Sequence, residues 1–511
     1  MIDLLLAIPP RIQDDFGYTP AGAALIKGSV VDSGYSCKVI DFNSRLDDLY
    51  AQDPDNDLNI AIDNFFLFYN FYSQNTWAVV SRIIEEWAEE IIELNPKWLG
   101  ISVFSYNSQR ASRLLAIKVK ELDPTINIVI GGSGIATDFN FAETLYQQKI
   151  IDAYIRGEGE RSILGVLSGN LKQPGINGIP PEQIDDIGNI PYPDYSDYEL
   201  KTYTNGKGLV ALPITGSRGC VRSCTFCDVA SMWPKYRYRT GADIANEIKH
   251  QVERYGVNAF RFTDSLINGS MKAFKDMIFA FAEYRSSLPE NLQFIWDTHY
   301  IVRPERHMPP EYFDVMKEAG CGTLLIGVES GSPDVRDHMK KGFKQEDLDY
   351  NIQQLDRVGI KCRFLMIIGY PTETAKNFQE TMDMFTAYKP YSDRGTIEEV
   401  NLGLTLNLLP NTPLTDNIER YRLKKFNNHI NDWICEDNPD LDYKERLRRR
   451  IVLQSHIESL GYRVFEAKNY TKQLFTSWQE VKSFNNVNTV KISKDFKYDR
   501  EKGGINIPGI F

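Results

Sequence analysis

The chain has 511 residues, 42% of them hydrophobic and 25% charged, which is room for two or three domains around a sizeable core. A net charge of −11 without a long basic run excludes an extended duplex-binding surface; Lys235, Arg237 and Arg239 are a candidate local basic patch, and nucleic acid is not an expected partner. No window of about 18 apolar residues occurs, so no membrane span is predicted, and the single, scattered Cys37, Cys321, Cys362 and Cys435 point to a reducing, cytoplasmic setting rather than a disulfide framework.

In chain order, DLLLAIPP (3–10), CKVIDFN (37–43), WLGISVFS (98–105), INIVIGG (126–132) and IDAYIRG (151–157) read as buried parallel strands. Helical patterns such as AGAALIKGSVVDSG and TWAVVSRIIEEWAEEIIELNP separate them. The opening apolar run is too short, and lacks the basic flank, for a secretion signal. Strands alternating with helices over residues 1–172 predict a doubly wound, flavodoxin-like α/β domain. Residues 50–75 form an aromatic and acidic insert. Residues 173–204, rich in Pro, Gly, Asp and Tyr, read as a linker. Six further strand candidates follow: LVALPITGS (209–217), AFRFTDS (259–265), QFIWDTH (293–299), GTLLIGVES (322–330), KCRFLMIIG (361–369) and VNLGLTLNLLP (400–410). Six βα units across residues 205–415 predict a partial parallel barrel, whose site forms where the loops converge at the C-terminal strand ends. Residues 416–511 read as a smaller, mostly helical piece.

The stretch GSRGCVRSCTFCDV (216–229) follows the first barrel strand and holds Cys220, Cys224 and Cys227. Thiolates are soft ligands for zinc, copper(I) and iron–sulfur clusters. A structural zinc ion takes four ligands, commonly as two pairs, but no second cysteine pair follows, and the next histidine, His250, falls on a predicted helix. Three cysteines on a four-iron cubane leave one iron open to an outside ligand.

This spacing, on that loop, resembles the radical S-adenosylmethionine (SAM) superfamily. The resemblance implies a 4Fe-4S cluster on Cys220, Cys224 and Cys227, with SAM bound on the open iron. Further short motifs stand where the superfamily has them. Phe226, the aromatic before the last cysteine, implies a backbone near the adenine. TDS (263–265) takes the place of the family's Gly-Gly-Glu segment and implies Asp264 and Ser265 as acceptors for the SAM ammonium. GVESGS (327–332) implies Glu329 and Ser330 at the ribose or methionine moiety. MIIGYPTET (366–374) implies Ile368 and Gly369 against the adenine, with Glu373 capping the next helix.

The first domain is similar to the cobalamin-binding domains fused to such barrels, through FGYTPAGAALIKGSVVDSGYSCKVIDFN, VIGGSG (129–134), IRGEGE (155–160) and, late in the barrel, LLPNTPL (408–414). That likeness, to the cobalamin-dependent (class B methyltransferase-like) branch, implies cobalamin contacts at Thr19, Ser105, Tyr106, Gly132, Ser133 and Glu158. One departure stands out. All six histidines lie after residue 249, so the domain has no D-x-H-x-x-G motif. Either cobalamin binds without a protein histidine, or the domain has become a scaffold.

The expected activity is SAM cleavage to a 5′-deoxyadenosyl radical, coupled to methylation of an unactivated carbon or phosphorus in a small-molecule or peptide substrate. A donor such as flavodoxin or ferredoxin is expected to supply the electron. Trp233, Tyr236, Trp296 and Tyr300 are candidates to line the substrate pocket or to serve structure. The alternatives are cyclisation or oxidation without methyl transfer, methylthiolation, which Cys37 standing alone argues against, and a non-catalytic metal-binding module.

Overall fold

The computed structural model describes residues 1–10, 19–46, 59, 61–62, 65–66, 74–136, 139–204, 208–403, 405–425, 431–465, 498–499 and 504–505. The chain forms two compact units, 1–465 and 466–511. In the second, the described residues are a short antiparallel ribbon of Tyr498–Asp499 and Gly504–Ile505. Most of the 50–75 insert lies outside the described residues; Phe65 and Phe66 within it are buried.

The first unit opens with five parallel strands: β1 (Ile2–Ile8), β2 (Cys37–Asp41), β3 (Pro96–Ser102), β4 (Asn127–Gly131) and β5 (Ala153–Ile155), in the order β2-β1-β3-β4-β5. Both faces are covered, which is why the strands read as unbroken apolar runs. The two-residue period of β1 sends Leu4, Leu6 and Ile8 to one core, with Ala23, Ala24 and Ile163 from helices 21–32 and 159–167. Leu5 and Ala7 go to the other, with Val80, Ile84 and Leu115 from helices 74–93 and 109–122. The helices after β1 and β3 therefore lie on opposite faces, and a crevice opens at the C-terminal ends of these adjacent strands.

The linker is part of the core. Tyr195, Tyr198 and Tyr203 are buried in the cluster that runs from the first sheet into the barrel. Lys27 of helix 21–32, itself buried, pairs with Asp197 at 2.6 Å and Asp194 at 3.4 Å. Gly28 lets the linker backbone approach so closely that a Cβ there would sit 2.1 Å from the Tyr192 carbonyl oxygen.

The barrel strands are β6 (Ala211–Ile214), β9 (Ala259–Phe262), β10 (Ile295–Tyr300), β11 (Cys321–Glu329), β12 (Lys361–Met366) and β13 (Ile397–Asn401); a two-stranded ribbon, β7 (Ser217–Arg218) and β8 (Arg237–Tyr238), sits between the first two. The six are parallel in the order β13-β12-β11-β10-β9-β6, an open (β/α)6 barrel. Phe260, Phe262, Trp296, Tyr300, Leu324, Ile326, Phe364 and Met366 pack in the core. The strand expected at 400–410 stands at 397–401. Asn401 Oδ1 accepts from Gly403 N at 2.9 Å and turns the chain, and Leu406 N then donates to Ile368 O at 3.0 Å across the mouth.

After the barrel come a ribbon of β14 (Leu423–Lys425) and β15 (Trp433–Cys435) and the helix Tyr443–Ser459. Residues 463–465 then lie along β13: Val400 N donates to Arg463 O at 2.9 Å, and Phe465 N donates to Val400 O at 2.8 Å. No helix among the described residues is long and apolar enough to cross a membrane.

Candidate active site at the barrel mouth

The loop after β6 carries Cys220, Cys224 and Cys227 at the C-terminal mouth, each a partly buried free thiol. Gly219, at φ +90°, makes the turn into it, and a Cβ there would lie 2.8 Å from Lys235 O. Thr225, fully buried, is the anchor. Its N donates to Met339 O at 3.1 Å, its hydroxyl pairs with Tyr370 Oη at 2.8 Å, and its carbonyl accepts from Leu414 N at 2.9 Å. Arg222 N donates to Cys220 Sγ at 3.4 Å, and Cys224 Sγ lies 3.8 Å from Lys340 O. Burial pushes all three thiols up, Cys227 to about 11; at Cys220 and Cys224 the Lys341 cation opposes it. Among the described residues, no three His, Cys, Asp or Glu side chains are arranged to hold a single metal ion. A cubane instead asks for its thiolates at three separate corners.

Asp264 is buried at the end of β9, where it accepts from Gly216 N at 2.9 Å and Ser217 Oγ at 2.5 Å. It thereby ties down the start of the cysteine loop. Burial outweighs these hydrogen bonds and raises its carboxyl to about 7. Ser265 beside it is exposed. Glu329 ends β11 at φ +67° and pairs with Lys341 at 3.0 Å. Ser330 turns inward: its Oγ accepts from Ser332 N at 3.1 Å and its carbonyl from Arg336 at 2.8 Å. Phe226 packs beside the Tyr370, Leu408 and Trp433 cluster, with Lys341 Nζ 5.8 Å from its ring centre. Ile368 is buried, and Gly369, at φ +80°, leaves room for the Arg446 side chain. The cap of helix 375–393 differs from expectation. Thr374 and Asn377 form it, because the buried Glu373 carboxylate is taken by Arg449 at 2.9 Å and Gly369 N at 3.3 Å.

At the first sheet, Ser105 and Tyr106 follow β3, and Gly132 and Ser133 follow β4. Ser133 donates to Phe104 O, and Gly134 N donates to Val103 O at 2.9 Å, so the two turns are locked together. Gly132, at φ +112°, admits no Cβ without meeting Val103 O at 2.5 Å. Phe104 and Tyr106 are exposed on this edge, and Thr19, on the loop after β1, has a buried hydroxyl with no hydrogen-bond partner among the described residues. A shallow edge with an orphaned hydroxyl and side-chain-free backbone fits a large flat ligand such as a corrin. Glu158 points elsewhere: it pairs with Arg218 at 2.5 Å and Arg237 at 2.8 Å and accepts from Ile184 N.

The basic patch at 235–239 does not form. Arg237 is held by Glu158 and Arg239 by Glu247, both buried, and only Lys235 stays exposed. Trp296 and Tyr300 serve structure, bonding Ala319 O at 2.8 Å and Asn351 Oδ1 at 2.7 Å in the core. Trp233 lies under Arg218 and Arg237, and Tyr236 against Gly269. Sequence reasoning missed Thr225, Lys341 and the segment 339–342 that walls the cysteine loop. A methionine and two lysines before a glycine carry no chemical signal until the fold brings them to the thiols.

Residues 214–385 match the family model of the Radical SAM superfamily. The match covers the barrel from the end of β6 through β12 and the cysteine loop, and it is there that the chain is similar to that superfamily. Among relatives, an anaerobic magnesium-protoporphyrin IX monomethyl ester cyclase of Rubrivivax gelatinosus is 27% identical over 59% of this chain and 56% of its own length. The match thus spans little more than half of that cyclase. A cytidylyl-2-hydroxyethylphosphonate methyltransferase of Streptomyces wedmorensis is 23% identical over 74% of this chain and 73% of its own. Among solved structures, the radical SAM methyltransferase TsrM of Kitasatospora setae, with cobalamin and a 4Fe-4S cluster bound, superposes with a TM-score of 0.63 at 15% identity, covering 94% of this chain and all of that one. At that identity the likeness speaks for the fold: an α/β domain of the cobalamin-binding type followed by a radical SAM barrel.

Proposed function

We propose that the protein is a cobalamin-dependent radical SAM methyltransferase, acting on an unactivated carbon or phosphorus of a small-molecule or peptide substrate. The observation that carries this reading is the cysteine loop at the barrel mouth, pinned by Thr225 and Asp264 inside the segment that matches the superfamily. When bound, a 4Fe-4S cluster with SAM on its open iron supplies the electron that splits the sulfonium into methionine and a 5′-deoxyadenosyl radical, and cobalamin supplies a methyl group. Cys220, Cys224 and Cys227 hold the cluster. Gly216, Ser217 and Asp264 fix where their loop begins. Glu329 and Ser265, at the ends of β11 and β9, and the Ile368–Gly369 backbone frame the place for SAM. The orphaned Thr19 hydroxyl, the exposed Tyr106 and the Gly132–Ser133 turn hold the corrin. The first-sheet domain would offer cobalt no histidine, since none precedes residue 250. A one-electron donor of the flavodoxin or ferredoxin class reduces the cluster.

The experiment is anaerobic reconstitution with iron, sulfide and cobalamin, followed by gel filtration, a visible spectrum and incubation with SAM and dithionite. The expected result is about four irons and four sulfides per chain, about one cobalamin, and release of 5′-deoxyadenosine and methionine. Cys224→Ala loses cluster and cleavage together. One zinc per chain overturns the reading. Cluster without cobalamin favours the second reading, radical cyclisation or oxidation without methyl transfer, which the cyclase relative supports.

A further inference from the structure

Lys341 occupies a built position. Its Nζ lies 3.0 Å from Glu329 Oε1, and both side chains are close to nine-tenths buried. Gly327 makes the space: a Cβ there would stand 2.4 Å from Glu329 Oε1 and 2.9 Å from Lys341 Nζ. Glu329 is held at φ +67°, a conformation that side-chain-bearing residues rarely adopt, so the surroundings over-determine it. The segment carrying Lys341 is fastened to the cysteine loop on both sides. Thr225 N donates to Met339 O, Lys340 O lies against Cys224 Sγ, and Gly342 receives the Arg222 guanidinium in the space a Cβ would take. The ammonium thus sits over Phe226, within electrostatic reach of Cys220, Cys224 and Cys227.

Resting on the cluster assignment above, we propose that Lys341 is a positioning charge for the redox step, its ammonium held beside the cluster thiolates by Glu329 so as to raise the cluster's reduction potential. One electron from a low-potential donor adds one negative charge to the cluster and changes nothing else in the balance. A fixed cation in a poorly solvated wall stabilises the more negative, reduced form over the oxidised one. The Glu329 carboxylate offsets part of that charge and so sets how much of it the cluster feels.

The two members of the pair therefore act with opposite sign. The test is a potentiometric titration of the reconstituted full chain, read by electron paramagnetic resonance of the reduced cluster, for wild type, Lys341→Met, Lys341→Arg and Glu329→Gln. Lys341→Met is expected to shift the midpoint to more negative values, Lys341→Arg to restore it, and Glu329→Gln to shift it to more positive values. Unchanged midpoints, or shifts of the same sign in Lys341→Met and Glu329→Gln, overturn the proposal. If Lys341→Met takes up no cluster, the Glu329→Gln arm decides alone, and an unchanged or lowered midpoint there overturns it. Failure of the underlying reading is seen separately, as absence of the reduced-cluster signal in the wild type.

Discussion

At the scale of single residues, the cysteine loop is held by side chains other than the cysteines. Thr225 loses its hydroxyl partner when changed to valine while keeping its volume. Thr225→Val is expected to cost about 1 kcal/mol and to lower the iron retained per chain on gel filtration. Equal iron in variant and wild type would show that the loop does not need this bond. Asp264 makes a prediction with a definite sign. Burial raises its carboxyl from 3.8 to about 7, so between these values the folded chain keeps a proton that the unfolded chain releases. Its contribution to stability is thus present at low pH and declines as pH rises toward 7, by up to about 1.4 kcal/mol per pH unit. Asp264→Asn should flatten that part of the pH profile in urea unfolding, and identical slopes for both proteins would refute the assignment. That the three cysteines share one loop at the barrel mouth was legible from their spacing after β6. Thr225 was not, because its partner Tyr370 lies 145 positions later.

At the scale of elements, the βα alternation was readable because strand and helix periods are local, and β9 (Phe260, Phe262) and β12 (Cys362, Phe364, Met366) place core residues at every second position. The ends of strands were less readable. β13 stops at Asn401 because a side-chain hydrogen bond and Gly403 at φ +56° turn the chain, and neither breaks the apolar pattern of the segment that follows. The Glu373 cap failed for a related reason. The competing partner, Arg449, comes from a helix 76 positions away. That helix also fills the space above Gly369, where a Cβ would lie 2.3 Å from Arg446 Cδ at a backbone φ of +80°. Gly369→Ala is expected to destabilise the chain by about 2 kcal/mol, measured as a lower urea midpoint, and to loosen the turn expected beside the adenine.

At the scale of the whole molecule, the first sheet and the barrel share buried charge as well as apolar core. Glu158 and Glu160 reach from the start of helix 159–167, which follows β5, to Arg218, at the foot of the cysteine loop, and Glu158 also holds Arg237. Sequence reading had given Glu158 to a ligand, since a carboxylate at a strand end shows no sign of a cation 60 residues ahead. Removing it leaves buried guanidinium charge short of a partner. Glu158→Ala is therefore expected to cost about 3 kcal/mol, more than Glu160→Ala, and to reduce cluster retention although no cysteine has changed. Equal urea midpoints for the two variants would count against this coupling.

The hydrogen bonds between β13 and residues 463–465 also bear on association between molecules. The outer edge of β13 is a row of backbone donors and acceptors that another chain could extend as an added strand. Arg463 and Phe465 occupy part of it. Cutting the chain after Ser459 bares that row without touching the cysteines. Such a shortened protein is expected to scatter light increasingly with concentration, while the full chain stays dispersed. Residues 463–465 thus cover part of an edge that would otherwise be open to such pairing.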